Sequence, residues 1–151
     1  MSRRLAREIA FKVLYSSNYA EEKDIDVIIN NSLEEDNIFW VNEENSVKSL
    51  LNLVNEKERD FFTELVKGTL CNIEKIDNTI EKNLKSWKMD RIAKVDLAIL
   101  RLAIYEIFFR DDIPDSVAIN EAVELGKAYG TDDSGSFING VLGRVARELD
   151  K

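Results

Sequence analysis

Very little interrupts the helical periodicity of this chain: 151 residues contain one proline, Pro114, and six glycines. Proline removes a backbone donor and glycine costs helix entropy. A chain poor in both, and rich in Leu, Ile, Glu, Lys and Ala, favours helices. Residues 3 to 20 read as the first. Leu5, Ile9 and Val13 recur every four residues with Ala6 and Ala10 beside them, forming one apolar stripe. From Lys57 to about Leu84 the spacing of Phe61, Phe62, Leu65, Val66, Thr69, Leu70, Ile73, Ile76 and Ile80 predicts one long amphipathic helix that runs through Gly68. KSWKMD follows as a turn or single helical turn. The segment RIAKVDLAILRLAIYEIFFRDDIP is apolar on more than one face, so it predicts a central helix packed on several sides and ended by Pro114. Asp115 or Ser116 is placed to cap a helix over VAINEAVELGKAYG, closed by Gly130. Asp132, Asp133 or Ser134 is placed to cap a last helix reaching about Leu149. No segment has strand period. The expected fold class is all-α.

Residues 21 to 60 differ in kind. Twelve acids face four bases there, which matches the net charge of the whole chain, -8. Short helices are expected over Ile25 to Leu33 and Val47 to Val54, with Phe39 and Trp40 of the intervening loop folded back onto the core. So acidic a stretch is a solvated face and a poor seat for nucleic acid. The lone Cys71 excludes an internal disulfide and a cysteine zinc cage, and its apolar surroundings predict a buried, inert thiol. No histidine, phosphate-cradling glycine loop or GxSxG elbow occurs, so no catalytic residue, metal site or cofactor is expected. The N-terminus lacks an apolar signal region, and Lys94, Asp96, Arg101 and Glu106 break up the most apolar stretch. Neither a membrane span nor a membrane partner is expected, and a cytoplasmic setting fits.

Against this acidic background the first residues, MSRRLAREIAFKVLY, carry Arg3, Arg4, Arg7 and Lys12 and only Glu8 in opposition. At 100° per residue Arg4, Arg7, Phe11 and Tyr15 form a second stripe, with Arg3 at its edge. Guanidinium forks pair with phosphates and stack on unpaired bases, and a helix N-terminus adds backbone donors. Tyr15 is suited to stack a base, whereas Phe11 suits the core. A solvated basic face gives the same pattern.

RRLAREIAFKVLY, ILRLAIYEI and DIPDSVAINEAVELGKAYGTDDSGSFINGVL together resemble the NusB family of transcription antitermination factors. The stretch VAINEAVELGK…SFINGVL is the specific part, and the resemblance covers the first helix and most of Trp87 to Ala146. The acidic residues 20 to 60 match poorly and are longer than the family pattern. The resemblance implies a single all-helical domain over 1–151 of two packed helical subdomains, about 1–84 and 85–151. It implies binding of boxA-type single-stranded RNA as a heterodimer with the ribosomal protein called NusE. That complex joins elongating RNA polymerase and other Nus factors and promotes processive transcription of ribosomal RNA operons. Arg3, Arg4 and Arg7 match the family's arginine-rich start, while Leu5 stands where some relatives carry another basic residue. By the same analogy Lys127 and Phe137 complete the RNA surface, and Asp96, Asp132 and Asp133 face NusE, where acids suit a basic partner. Helix capping by Asp132 and Asp133 and a solvated Asp96 are the plainer readings. Asn139 and Gly140, with Asn120 and Glu121, are read as structural, and Arg101 and Glu106 as structural ion pairs.

Two rival readings stand beside this one. The first is a helical adaptor that binds protein through its arginines. The second is a free-standing relative of the RNA-binding module of ribosomal RNA methyltransferases, without their cofactor-binding domain. A homodimer that covers the RNA surface is open to any member of the family.

Overall fold

The structure, a computed structural model, describes residues 3–16, 55–84 and 89–149. The short helices expected within 25–54, and Phe39 and Trp40, lie outside the described residues. Among the described residues there are six α-helices, one 3-10 turn at Met89–Arg91, and no strand. The helices are α1 Arg3–Ser16, α2 Glu56–Cys71, α3 Ile73–Lys82, α4 Lys94–Phe109, α5 Asp115–Tyr129 and α6 Ser134–Leu149. They fall into two compact units, one ending at Leu70 and the other beginning at Cys71. The sequence-based halves divide instead near residue 84. The difference arises because α3 packs on α4 and α6 and so joins the second unit.

In the first unit, α2 starts with a reciprocal cap. The Asn55 amide donates to Glu58 Oε1 and the Glu58 amide donates to Asn55 Oδ1, both at 2.9 Å. Two otherwise unpaired donors are satisfied at once. Phe61, Phe62, Leu65, Val66 and Thr69 are the buried stripe of α2, and the helix continues through Gly68 as expected. It stops at Asn72, so the single long helix predicted from residue 57 to 84 is two helices. Asn72 leaves helical geometry at φ -114 and ψ 20. Its carbonyl accepts the Ile76 amide at 2.9 Å, which starts α3. Cys71 is exposed, not buried as expected. Steps of three and four from Thr69 lead to Asn72 and Ile73, so Cys71 falls off the apolar stripe.

The Thr69 hydroxyl is fully buried and has no hydrogen-bond partner among the described residues. A buried orphan hydroxyl costs more than a methyl of the same shape. Thr69→Val is therefore expected to raise stability by about 1 kcal/mol, read as a higher urea midpoint at unchanged m-value.

The second unit is built around α4, which buries residues on most of its circumference, among them Ile99, Leu100, Leu102 and Ile104. It packs on α3, α5 and α6, and α5 packs on α6. Arg101 of α4 holds Asp77 of α3 through a bidentate pair, Nε to Oδ1 at 2.8 Å and Nη2 to Oδ2 at 2.9 Å. This is the structural ion pair expected of Arg101. At the far end of α3, Arg144 of α6 donates to the Asn83 carbonyl from Nε at 3.0 Å and Nη2 at 2.8 Å. A cation there complements the negative end of the helix dipole.

Pro114 is the N-cap of α5, and no side chain caps it, so neither Asp115 nor Ser116 has the expected role. The proline ring presets the entry geometry, and its carbonyl accepts the Val117 amide at 3.0 Å and the Ala118 amide at 3.2 Å. Gly130 does end α5, but in an extended conformation at φ -98, not a left-handed one. Close approach is what requires glycine here. A Cβ at Gly130 would strike Ser134 Oγ and lie 2.8 Å from the Gly126 carbonyl oxygen. Gly126 is similarly confined, with Ile138 Cδ1 at 2.8 Å from a Cβ placed on it. The α5–α6 corner is thus a tight hairpin that brings Lys127, Asp132, Asp133 and Phe137 into one short stretch.

Candidate nucleic-acid interface

Helix α1 carries no acid in its first turn and no base in its last. Arg3 and Arg4 occupy the positive end of the helix dipole, where a cation is unfavourable unless an anion or a ring compensates it. Both are exposed. Arg7 is only 5% exposed. The guanidinium carbons of Arg3 and Arg7 lie 4.7 Å and 5.4 Å from the centroid of the Phe61 ring of α2. Two of the three arginines thus lie against one aromatic ring. The second stripe is therefore less uniform than its spacing suggests. Phe11 is fully buried, as expected of a core residue, and half-buried Tyr15 sits 6.2 Å from it, ring to ring.

Lys12 contributes nothing to an exposed basic face. It is fully buried and its Nζ pairs with Glu8 Oε2 at 3.7 Å. Burial pushes its ammonium below the ordinary value of 10.5, with Glu8 opposing the shift. A lysine whose folded-state pKa is lowered destabilises the fold wherever it stays protonated. As pH rises from the lowered value toward 10.5, the unfolded chain holds the extra proton, so Lys12 makes stability rise with pH in that window. A Lys12→Met variant is expected to lack this rise, and urea midpoints of both proteins across that range measure the difference.

In the second unit, Lys127 is exposed and its Nζ lies 3.5 Å from Glu124 Oε2, a solvent-screened pair of little energetic weight. Its stem runs over α6, with Cγ 3.6 Å from a Cβ placed on Gly135. Phe137, in the first turn of α6, is half-buried, and its amide donates to the Asp133 carbonyl at 3.1 Å. The corner itself is held by Ser134, whose buried Oγ accepts the Thr131 amide at 2.9 Å. Asp132 and Asp133 are exposed, and neither carboxylate caps α6 among the described residues. Their capping role is therefore not observed.

Asp96 is not the solvated acid of the plainer reading. It sits in the first turn of α4, is 8% exposed, and its Oδ1 has no hydrogen-bond partner among the described residues. An unpaired buried carboxylate is costly, and the helix N-terminus offsets part of that cost. Asn139 and Asn120 are both exposed, and a Cβ on Gly140 would meet only Arg144 Nη1 at 3.6 Å. Neither amide is therefore buried as expected, and among the described residues Gly140 is not closely packed. Conversely, Phe61 was legible only as one member of an apolar stripe. Periodicity carries no signal that a ring on one helix underlies cations on another.

These features define an all-helical protein with a basic helix start in its first unit and an acid-bearing corner in its second, suited to binding. The NusB family model matches residues 4–147. A transcription antitermination protein NusB from Acetivibrio thermocellus is 49% identical over 147 residues, 97% of this chain and 90% of that protein. Among solved structures, T. maritima NusB superposes with a TM-score of 0.78 at 32% identity, covering 98% of this chain and 92% of its own. A crystal structure of antitermination factors NusB and NusE in complex with dsRNA has a TM-score of 0.75 at 26% identity, covering 97% and 96%. The chain belongs to the NusB family. The match also spans the acidic residues 21–60, which therefore lie within the family's extent. Transcription antitermination is the activity for which these relatives are named. Among the described residues, no helix is long and apolar enough to cross a membrane.

Proposed function

We propose that this protein is a cytoplasmic, non-catalytic antitermination factor that binds boxA-type single-stranded RNA together with the ribosomal protein NusE. In this reading it joins RNA polymerase and other Nus factors on ribosomal RNA operons. One observation carries the proposal. In a chain of net charge -8, Arg3 and Arg4 are exposed at the positive end of α1, with Arg3 held against an aromatic ring. A phosphate there relieves the repulsion between these cations and the helix dipole. The similarity to a NusB that forms a complex with NusE and RNA supports the same partners here. Single strands are favoured over duplex because guanidinium planes and Tyr15 offer stacking faces that only unpaired bases use. Lys127 and Phe137 supply a second cation and ring for the RNA. Asp132 and Asp133 present exposed acids to the basic ribosomal protein, whereas Asp96 is buried and adds none to that surface.

About three phosphate contacts on a single strand give a log–log salt slope near about -2, so the protein alone binds weakly. The experiment is fluorescence anisotropy of labelled boxA-type RNA, single-stranded and duplex, titrated with the protein alone and with NusE at two salt concentrations. Salt-sensitive binding that tightens with NusE supports the proposal. Absence of binding by the folded protein in every arm leaves a protein-only helical adaptor as the better account.

A further inference from the structure

Two cations held over one ring is an unusual use of a phenylalanine in an otherwise apolar stripe. Phe61 is 6% exposed, and its ring centroid lies 4.7 Å from the Arg3 guanidinium and 5.4 Å from that of Arg7. Its neighbours on α2, Leu65 and Val66, are fully buried aliphatic residues with no π face to offer a cation. A free arginine side chain samples many rotamers, and fixing it on binding costs conformational entropy. A guanidinium stacked on an aromatic face has already lost much of that freedom.

From this geometry we infer that Phe61 is a positioning residue for RNA: its ring holds Arg3 and Arg7 in place before the RNA arrives and keeps them stacked in the complex. The inference rests on the RNA-binding reading above. It assigns to α2 a part in binding that neither the arginine pattern nor the family resemblance gave it. Arg7 is largely buried and Arg3 is exposed, so Arg3 is the one of the two that reaches solvent.

The test compares Phe61→Leu, which keeps an apolar side chain without a quadrupole, with Phe61→Tyr, which keeps the ring. Thermal unfolding of each is measured alongside binding of single-stranded boxA-type RNA. Phe61→Leu is expected to weaken binding about fivefold, the scale of a cation–π contact, and Phe61→Tyr to restore it. A purely structural role would lower the melting temperature of Phe61→Leu and leave the affinity of the folded fraction unchanged. Proton NMR of the unaltered protein gives a readout independent of any variant. Ring-current upfield shifts of the Arg3 and Arg7 side-chain protons are expected to persist when RNA saturates the protein. Loss of those shifts on RNA addition, or tighter binding by Phe61→Leu, would show that the ring competes with RNA and would overturn the inference. Binding lost in Arg3→Ala/Arg4→Ala but unaffected in Phe61→Leu would overturn the role of the ring alone. No RNA binding by the unaltered chain would remove both readings.

Discussion

An Arg3→Ala/Arg4→Ala variant is expected to bind boxA-type single-stranded RNA about a hundredfold more weakly than the parent at low salt, about tenfold for each charge-assisted contact. These two arginines suit the test because both are exposed. Their truncation leaves the buried stripe of Ala6, Ile9, Ala10 and Val13 intact. Arg7 is a poorer choice, since a side chain 5% exposed is also part of the packing. The salt dependence is as informative as the affinity. Losing two of about three phosphate contacts should reduce the log–log slope from about -2 to about -0.7. An unchanged slope with weaker binding would mean that these arginines stack on bases and leave the phosphates to others. An unchanged affinity would place the RNA elsewhere, and Lys127 and Phe137 would be examined next.

Gly130→Ala is expected to lower stability by about 3 kcal/mol, read as a fall in melting temperature of about 6–12 °C. The added methyl has nowhere to go. It would strike Ser134 Oγ, approach Ser134 Cβ to 2.6 Å and the Gly126 carbonyl oxygen to 2.8 Å. The Gly126 carbonyl is the acceptor that ends α5, taking the Gly130 amide at 2.8 Å. Ser134 is itself the acceptor for the Thr131 amide at 2.9 Å. Both bonds of the corner must therefore shift together. Gly140→Ala is the matched control. A Cβ there meets only Arg144 Nη1 at 3.6 Å, within helix α6. Its replacement should be neutral or stabilising by about 0.5–1 kcal/mol, because alanine loses less backbone entropy than glycine. A Gly130→Ala variant as stable as the control would show that the corner opens without cost. Loss of NusE binding without loss of stability would tie the corner's shape to Asp132 and Asp133.

The legible part of the fold was the part written in local spacing. Helices α4, α5 and α6 follow the periodicity of their own residues, although α4 ends at Phe109, short of the Pro114 expected to stop it. The several-sided burial of α4 was visible in its apolar residues on more than one face. The break at Asn72 was not visible, because Ile73, Ile76 and Ile80 continue a plausible helical pattern past it. Spacing records which residues can share a face, and two consecutive helices can share one as readily as a single helix does.

The candidate site divides along the same line. By itself the sequence determined the all-helical class and the concentration of Arg3, Arg4 and Arg7 at one helix start. It also determined the absence of the residues that histidine-based catalysis needs. These are matters of composition and of neighbours within a turn or two. Only the tertiary structure decided which charges reach solvent. Arg7 and Lys12 lie on the same helix as Arg3 and Arg4, yet both are buried. Phe61 became a seat for cations, and Asp96 became a buried acid with an unpaired oxygen. The physical reason is that a charge is tuned by what lies against it within a few ångströms. Those neighbours come from segments far apart in the chain, which periodicity does not record.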